Sequence, residues 1–143
     1  MKKMIALTIG MFACAVMASC HEKPVTFEQL PIAAKTYINT NFPGDKVAIA
    51  IVDDDLIRPD YEVRLASGVE LKFNNSGALE KVAFRDGISA DLIPQSIREY
   101  VSTYYPEAGY REYEIGRRTY EVTLTNGLEL KFNSVFRIVE VDD

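Results

Sequence analysis

Residues 61–73 alternate apolar and polar side chains on either side of a glycine-bearing turn. Tyr61, Val63 and Leu65 alternate with Glu62 and Arg64, and Val69, Leu71 and Phe73 alternate with Glu70 and Lys72. A period of two marks half-buried strands. With Ala66-Ser67-Gly68 as the turn, position 65 faces 69, 64 faces 70, 63 faces 71 and 62 faces 72. Apolar side chains then meet on one face, and a slip of one residue would turn all of them outward. Gly68 falls where a three-residue hairpin loop needs a left-handed residue. The pattern returns at residues 120–133, 59 positions later and without a gap, with Thr125-Asn126-Gly127 as its turn.

A helical stripe precedes each hairpin. Ala34, Tyr37, Ile38 and Asn41 share one face at helical spacing, and so do Ile97, Tyr100, Val101 and Tyr104. Pro31 suits a first helical turn, Phe42-Pro43-Gly44 and Tyr105-Pro106 stop the helices, and Thr26 with Gln29 spells a capping box ahead of the first. The helices stand 63 residues apart, so the first copy carries four extra residues between helix and hairpin. Further strands are predicted at 46–52, with Val47, Ile49 and Ile51 on one face, and at 110–115, with Tyr113 and Ile115 inward. After the hairpins come 79–84, with Val82 and Phe84 together, and 135–141, with Val139 and Val141 together. Internal repetition at this period sets the architecture. The expectation is an α+β fold of two tandem repeats. Each is one helix followed by a four-stranded antiparallel sheet, and the helices lie on one sheet face. Halves of 55–60 residues are marginal alone, so a continuous sheet or joint core is expected. The polar face is left to solvent.

The leader changes the picture of where the chain works. Lys2 and Lys3 precede a short apolar run, and small residues follow before Cys20. This is a secretory signal over residues 1–19, too short for a transmembrane span. Cys20 after Ala18-Ser19 marks a lipid attachment site, with simple signal cleavage as the other outcome. Residues 20–25 read as a tether, 26–85 as the first repeat, 86–91 as a linker and 92–143 as the second repeat. Cys20 is the one cysteine left after the leader, so no intramolecular disulfide can form. Without Lys2 and Lys3 there are 14 basic and 21 acidic residues, a mature net charge of −7. That balance, with no basic cluster, speaks against nucleic acid as partner.

Chemistry is sparse. The single histidine, His21, stands beside the anchor, so neither a Ser-His or Cys-His pair nor a zinc site can be assembled. There is no glycine-rich phosphate loop. The hairpin carboxylates are read as cross-strand partners of lysine and arginine: Arg64 with Glu70, Glu62 with Lys72, Glu121 with Lys131. No enzyme activity, cofactor or metal is expected. Asp53-Asp54-Asp55 could hold a hard cation, but the glycine and distal glutamate of a calcium loop are missing.

The order of these features, twice over, resembles the PepSY-like, β-lactamase-inhibitor-like domain family of secreted bacterial proteins. Leu30-Pro31, Tyr37-Ile38, Phe42-Pro43-Gly44, Tyr61-Glu62-Val63 and Gly68 through Phe73 carry the resemblance. Ile93-Pro94, Tyr100-Val101, Tyr105-Pro106 and Tyr120 through Phe132 repeat it. The resemblance covers nearly all of residues 26–143. It implies a helix-plus-four-strand repeat and a non-catalytic periplasmic or surface role. The inhibitor comparison implies a concave sheet face and projecting loops that grip another protein.

Two regions are candidate contacts. The loop Asp53, Asp54, Asp55, Leu56, Ile57 and Arg58 is where the first repeat is longer, and it either folds back on the sheet or protrudes to bind. Its counterpart bears Arg117 and Arg118, and Tyr104 and Tyr105 close the second helix as interface or packing residues. The expected function is a lipid-anchored, periplasmic or outer-membrane-attached module that binds or inhibits an envelope protein. The alternatives are a small-ligand or cation carrier and a structural envelope component.

Overall fold

The computed structural model describes residues 22–54 and 57–143. The leader and Cys20 lie outside them. Nine strands form a single antiparallel sheet in strict chain order. They are β1 (Glu22–Pro24), β2 (Val47–Asp53), β3 (Asp60–Leu65), β4 (Glu70–Phe73), β5 (Leu79–Ile88), β6 (Tyr110–Ile115), β7 (Thr119–Leu124), β8 (Glu129–Asn133) and β9 (Ile138–Asp142). Helix α1 (Ile32–Asn41) precedes β2 and helix α2 (Gln95–Tyr104) precedes β6. The expected pair of four-stranded sheets is therefore one sheet, joined where β5 pairs with β6. Strands also reach into two segments expected as connections. Glu22–Pro24 in the expected tether adds a strand to β2, and the expected linker from 86 is taken up by β5 as far as Ile88.

The hairpins match the alternation that predicts them. Glu62 pairs with Lys72, Val63 with Leu71 and Arg64 with Glu70; Glu121 pairs with Lys131 and Val122 with Leu130. Three-residue loops close both, with Gly68 at φ +101° and Gly127 at φ +93°. Thr26 opens a short 3-10 turn, its backbone N–H donating to Gln29 Oε1 at 2.8 Å.

All full burial is on one face. Val63, Leu65, Leu71, Phe73, Val82, Tyr113, Val122, Leu124, Leu130 and Phe132 pack in one cluster with Ala34 and Ile38 of α1 and Ile97 and Val101 of α2. The helices sit alike in the two halves. Tyr37 meets Phe73 edge-on at 5.8 Å, and Tyr100 meets Phe132 edge-on at 5.4 Å. Burial pushes the Tyr37 and Tyr113 hydroxyls up to about 12, so neither ionises near neutrality.

Bulges correct the expected facing of two strands, β2 and β9, while on β6 Tyr113 and Ile115 face the core as expected and the bulge turns Tyr110 inward as well. The register shifts between Val47 and Ile49, and again between Tyr110 and Glu112. One extra residue reverses the parity of what precedes it. Val47 therefore shares the core face with buried Ala50, while Ile49 and Ile51, opposite Arg64 and Glu62, face away from the helices. On β9 a shift beside Phe132 places Ile138 and Val141 on the core face and leaves Val139 as the extra residue.

The turn between β4 and β5 shows how close the helix layer comes. Gly77 has φ +85°, and a Cβ there would lie 2.7 Å from Pro31 Cβ and 2.9 Å from the Ala34 backbone nitrogen. Its counterpart 59 residues later is Phe136, a non-glycine residue at φ +59° whose ring stacks on Tyr120 at 4.7 Å. Gly77→Ala is expected to lower stability by about 2–4 kcal/mol, combining overpacking with left-handed strain. Gly127→Ala meets nothing within 4 Å and should lose only the strain term. Urea unfolding of both variants measures the difference.

Candidate functional site

The sheet face opposite the helices carries ordered charge. Reading the pairings from β3 to β9, one row runs Glu62, Lys72, Lys81, Glu114, Glu121, Lys131, Glu140. The adjacent row runs Arg64, Glu70, Ala83, Glu112, Thr123, Glu129, Asp142. The surface carries both signs, lysines and glutamates partly grouped in pairs, and is acidic on balance. At its β2 margin stand Ile49, 43% exposed, and half-buried Ile51.

Ion pairs tie neighbouring strands across this face, though two of the expected partners change. Arg64 reaches Glu70 at 2.6 Å, as the hairpin register requires. Lys72, level with Glu62, lies 3.5 Å from Asp60, and Lys131, level with Glu121, lies 3.2 Å from Glu140. A lysine stem is long enough to choose among several carboxylates: Lys72 stays within its hairpin and reaches two residues along β3, whereas Lys131 turns from β7 to β9, outside its hairpin. Lys81 bridges β5 to β6 through Glu112 at 2.9 Å. Burial alone would lower the Lys81 ammonium, but the hydrogen bond to Glu112 and the charges of Glu112, Glu114 and Glu70 leave it raised.

Glu114 and Glu121 face each other directly on β6 and β7. Like charges directly opposite are unfavourable. Burial raises the Glu121 carboxyl, Lys131 opposes that, and Glu114 adds to it. Burial likewise raises Glu62 against the opposing field of Lys72.

The expected contact loop joins β2 to β3. Asp53 pairs with Asp60 at its base, and Asp54 holds the Lys23 ammonium of β1 at 2.5 Å. Ile57 is fully exposed, so at that residue the loop does not fold back on the sheet. Arg58 is exposed, and Asp55 and Leu56 lie outside the described residues. Arg117 and Arg118 are exposed in the turn between β6 and β7. Because strands alternate in direction, this turn and the 53–58 loop share one rim of the sheet, four strands or about 19 Å apart. Tyr104 and Tyr105 belong to the opposite rim, where the chain enters β6 at Tyr110. The six residues of β6, about 20 Å, separate them from Arg117 and Arg118. The arginine turn and the tyrosines that close α2 therefore stand at opposite ends of the strands. Tyr104 is 63% exposed with its ring 4.6 Å from Tyr100, while Tyr105 packs partly against the core. Among the described residues, no three acidic, histidine or cysteine side chains converge to hold a metal ion.

Sequence reasoning placed the hairpin parts of the charged rows, but the full rows needed the β5–β6 pairing. The signal for Glu112 and Glu114 was their alternation with Tyr113 and Ile115.

Two regions, residues 16–81 and 59–140, match the model of a family described as "Putative beta-lactamase-inhibitor-like, PepSY-like". Three solved structures are similar in sequence and fold. One, described as a putative periplasmic protein from Bacteroides vulgatus, is 35% identical with a TM-score of 0.81, covering 85% of this chain and 97% of its own. A second, from Bacteroides thetaiotaomicron and described as a putative calcium-regulated periplasmic protein, is 33% identical with a TM-score of 0.81 over 85% and 97%. A third, from Bacteroides vulgatus and described as of unknown function, is 31% identical with a TM-score of 0.80 over 85% and 99%. None of the curated proteins matches the chain.

Glu121→Gln is expected to stabilise the protein at pH 7 by about 0.2–1 kcal/mol, because it removes one of two facing charges. The sign follows from the raised carboxyl: the folded state holds the proton more tightly than the unfolded state. Wild-type stability therefore falls as pH rises from the ordinary carboxylate value through the raised one. The advantage of the variant should vanish below that window, as read from urea unfolding between pH 3 and 7.

Proposed function

The chain belongs to the PepSY-like family, and from that premise we propose that it is a non-catalytic binding module of the cell envelope that docks a protein on its open sheet face. The uncovered face with its two charged rows carries this reading. Helices cover one side of the sheet only, and the other presents side chains held in register by backbone pairing. Fixed, patterned charge suits recognition more than tight association: it steers encounter and rejects mismatched partners. The loops bearing Ile57 and Arg58, and Arg117 and Arg118, flank that face on one rim.

An exported location agrees with the leader over 1–19 and with the periplasmic descriptions of the similar proteins. Cys20 would carry the lipid that holds the module at a membrane, with residues after it as a short lead into β1. The sparse chemistry supports a role without catalysis: the one histidine is His21, and the buried tyrosines titrate far above neutrality.

Cys20→Ser is expected to abolish labelling by a palmitate analogue and to move the protein from the membrane to the soluble envelope fraction. Unchanged fractionation would show simple signal cleavage instead. Docking is tested by capture from envelope extract with the mature protein and two variants. Thr123→Arg projects a bulky cation from mid-face between Glu112 and Glu129, so folding should tolerate it while docking is blocked. Ile57→Ala with Arg58→Ala trims the loop. A partner lost with Thr123→Arg supports the face, and one lost only with the loop variant moves the contact there. Capture of nothing by wild type would sink the protein-binding reading in favour of a carrier or structural role.

A further inference from the structure

The two rims of the sheet are finished differently. At one, β1 covers β2 with three residues that include Lys23 and Pro24, and proline cannot donate to a further strand. At the other, β9 is the terminal strand, and among the described residues no strand pairs with its outer side.

The first half shows what such an edge accepts. Leu79 to Ala83 of β5 correspond to Ile138 to Asp142 of β9 at the repeat offset, down to the register shift beside Phe73 and Phe132. In β5 that edge is occupied: Lys81, Val82 and Ala83 pair with Glu114, Tyr113 and Glu112 of β6. Val82 is 0% exposed and Tyr113 4% exposed as a result. The equivalent Val141, on the same core face, is 46% exposed, and Val139 beside it is 56% exposed. β9 thus presents half of a joint whose complete form lies inside the same molecule.

Charge decides the occupant. Glu140 stands where β5 has Lys81, and Asp142 where β5 has Ala83. Glu129 faces Asp142 across β8 and β9, and among the described residues no cation forms an ion pair with either. Lys131 pairs with Glu140 but also lies in the field of Glu121 and Asp142, so carboxylates outnumber cations here, and a strand like β6, with Glu112 and Glu114 flanking Tyr113, would be repelled. A second copy therefore cannot dock its β6 chemistry on this edge, and antiparallel β9–β9 pairing would set the carboxylates of both copies together. The carboxylates guard against self-association, as charged edges do, and admit a strand of opposite sign.

We propose that β9 accepts an extended segment of a partner protein in which a large apolar residue is flanked on both sides by lysine or arginine. The apolar residue would cover Val141, and the two cations would stand beside Glu140 and beside the Asp142–Glu129 pair. Strand addition supplies backbone hydrogen bonds, and alternate side chains supply the selectivity. This edge is distinct from the open face, so the inference stands whether or not that face binds.

The test uses the mature protein and two labelled, end-capped peptides: Thr-Val-Lys-Tyr-Lys-Val-Thr, and the same peptide with Glu for both Lys. Fluorescence anisotropy at low ionic strength should show the lysine peptide binding about tenfold more tightly, since exposed charge pairs are weakly screened there. Hydrogen exchange should slow at 138–142 and not elsewhere. Glu140→Lys with Asp142→Lys should reverse the preference toward the glutamate peptide, a gain that a misfolded variant could not show. Ala83→Arg on the open face, between Glu70 and Glu112 and four strands or about 19 Å from β9, should leave the ratio of the two affinities unchanged, which separates failure at the edge from failure at the face. Equal affinity for the two peptides, protection outside β9, or peptide-independent dimers protected at 138–142 would each overturn the proposal.

Discussion

Val82 is fully buried between Leu71 on β4 and Tyr113 on β6, and through this contact two halves become one sheet. Each half is near the size at which a chain buries too little apolar surface to stand alone. Pairing β5 with β6 removes two sheet edges and runs one apolar layer beneath both helices. The matched Tyr37–Phe73 and Tyr100–Phe132 contacts dock each helix on its own half, and the seam makes those halves interdependent.

The same constraint shapes the surface. Two ten-residue helices cover one face of nine strands, so the other face must satisfy itself with charge. The antiparallel register then sorts those charges into rows. Ion pairs such as Lys81–Glu112 and Lys131–Glu140 stitch neighbouring strands, while Glu114 opposite Glu121 retains a repulsive contact. Exposed pairs of this kind contribute modestly to stability. Backbone register holds both signs of charge at fixed positions across the uncovered face.

Where the halves diverge, equivalent positions meet different neighbours. Gly77 has α1 against it and no room for a side chain, whereas Phe136 accepts a left-handed backbone and spends its ring on Tyr120. Ile49 and Ile51 make an apolar margin where the second half has Glu112 and Glu114. β1 closes one rim, while Val139 and Val141 remain exposed on the other. A repeated sequence thus yields a molecule with two unlike rims.

Much of this was legible in the chain itself. A period of two broken by a three-residue glycine loop allows one low-energy register, so Glu62–Lys72 and Glu121–Lys131 followed from residues alone. The helical stripes named Ala34, Ile38, Ile97 and Val101 because 3.6-residue spacing permits one buried face. The bulges at Ala48 and Arg111 were hidden, since an extra residue reverses a strand's facing without altering its composition. Glu22–Pro24 has no strand signal of its own and pairs only because β2 offers an edge. Local pattern, acting between near neighbours, determined the elements, the hairpin registers and the inward face. The β5–β6 seam, the choice of ion-pair partner and the contrast between the covered and uncovered rims were decided by tertiary structure, because each depends on groups that only folding brings together.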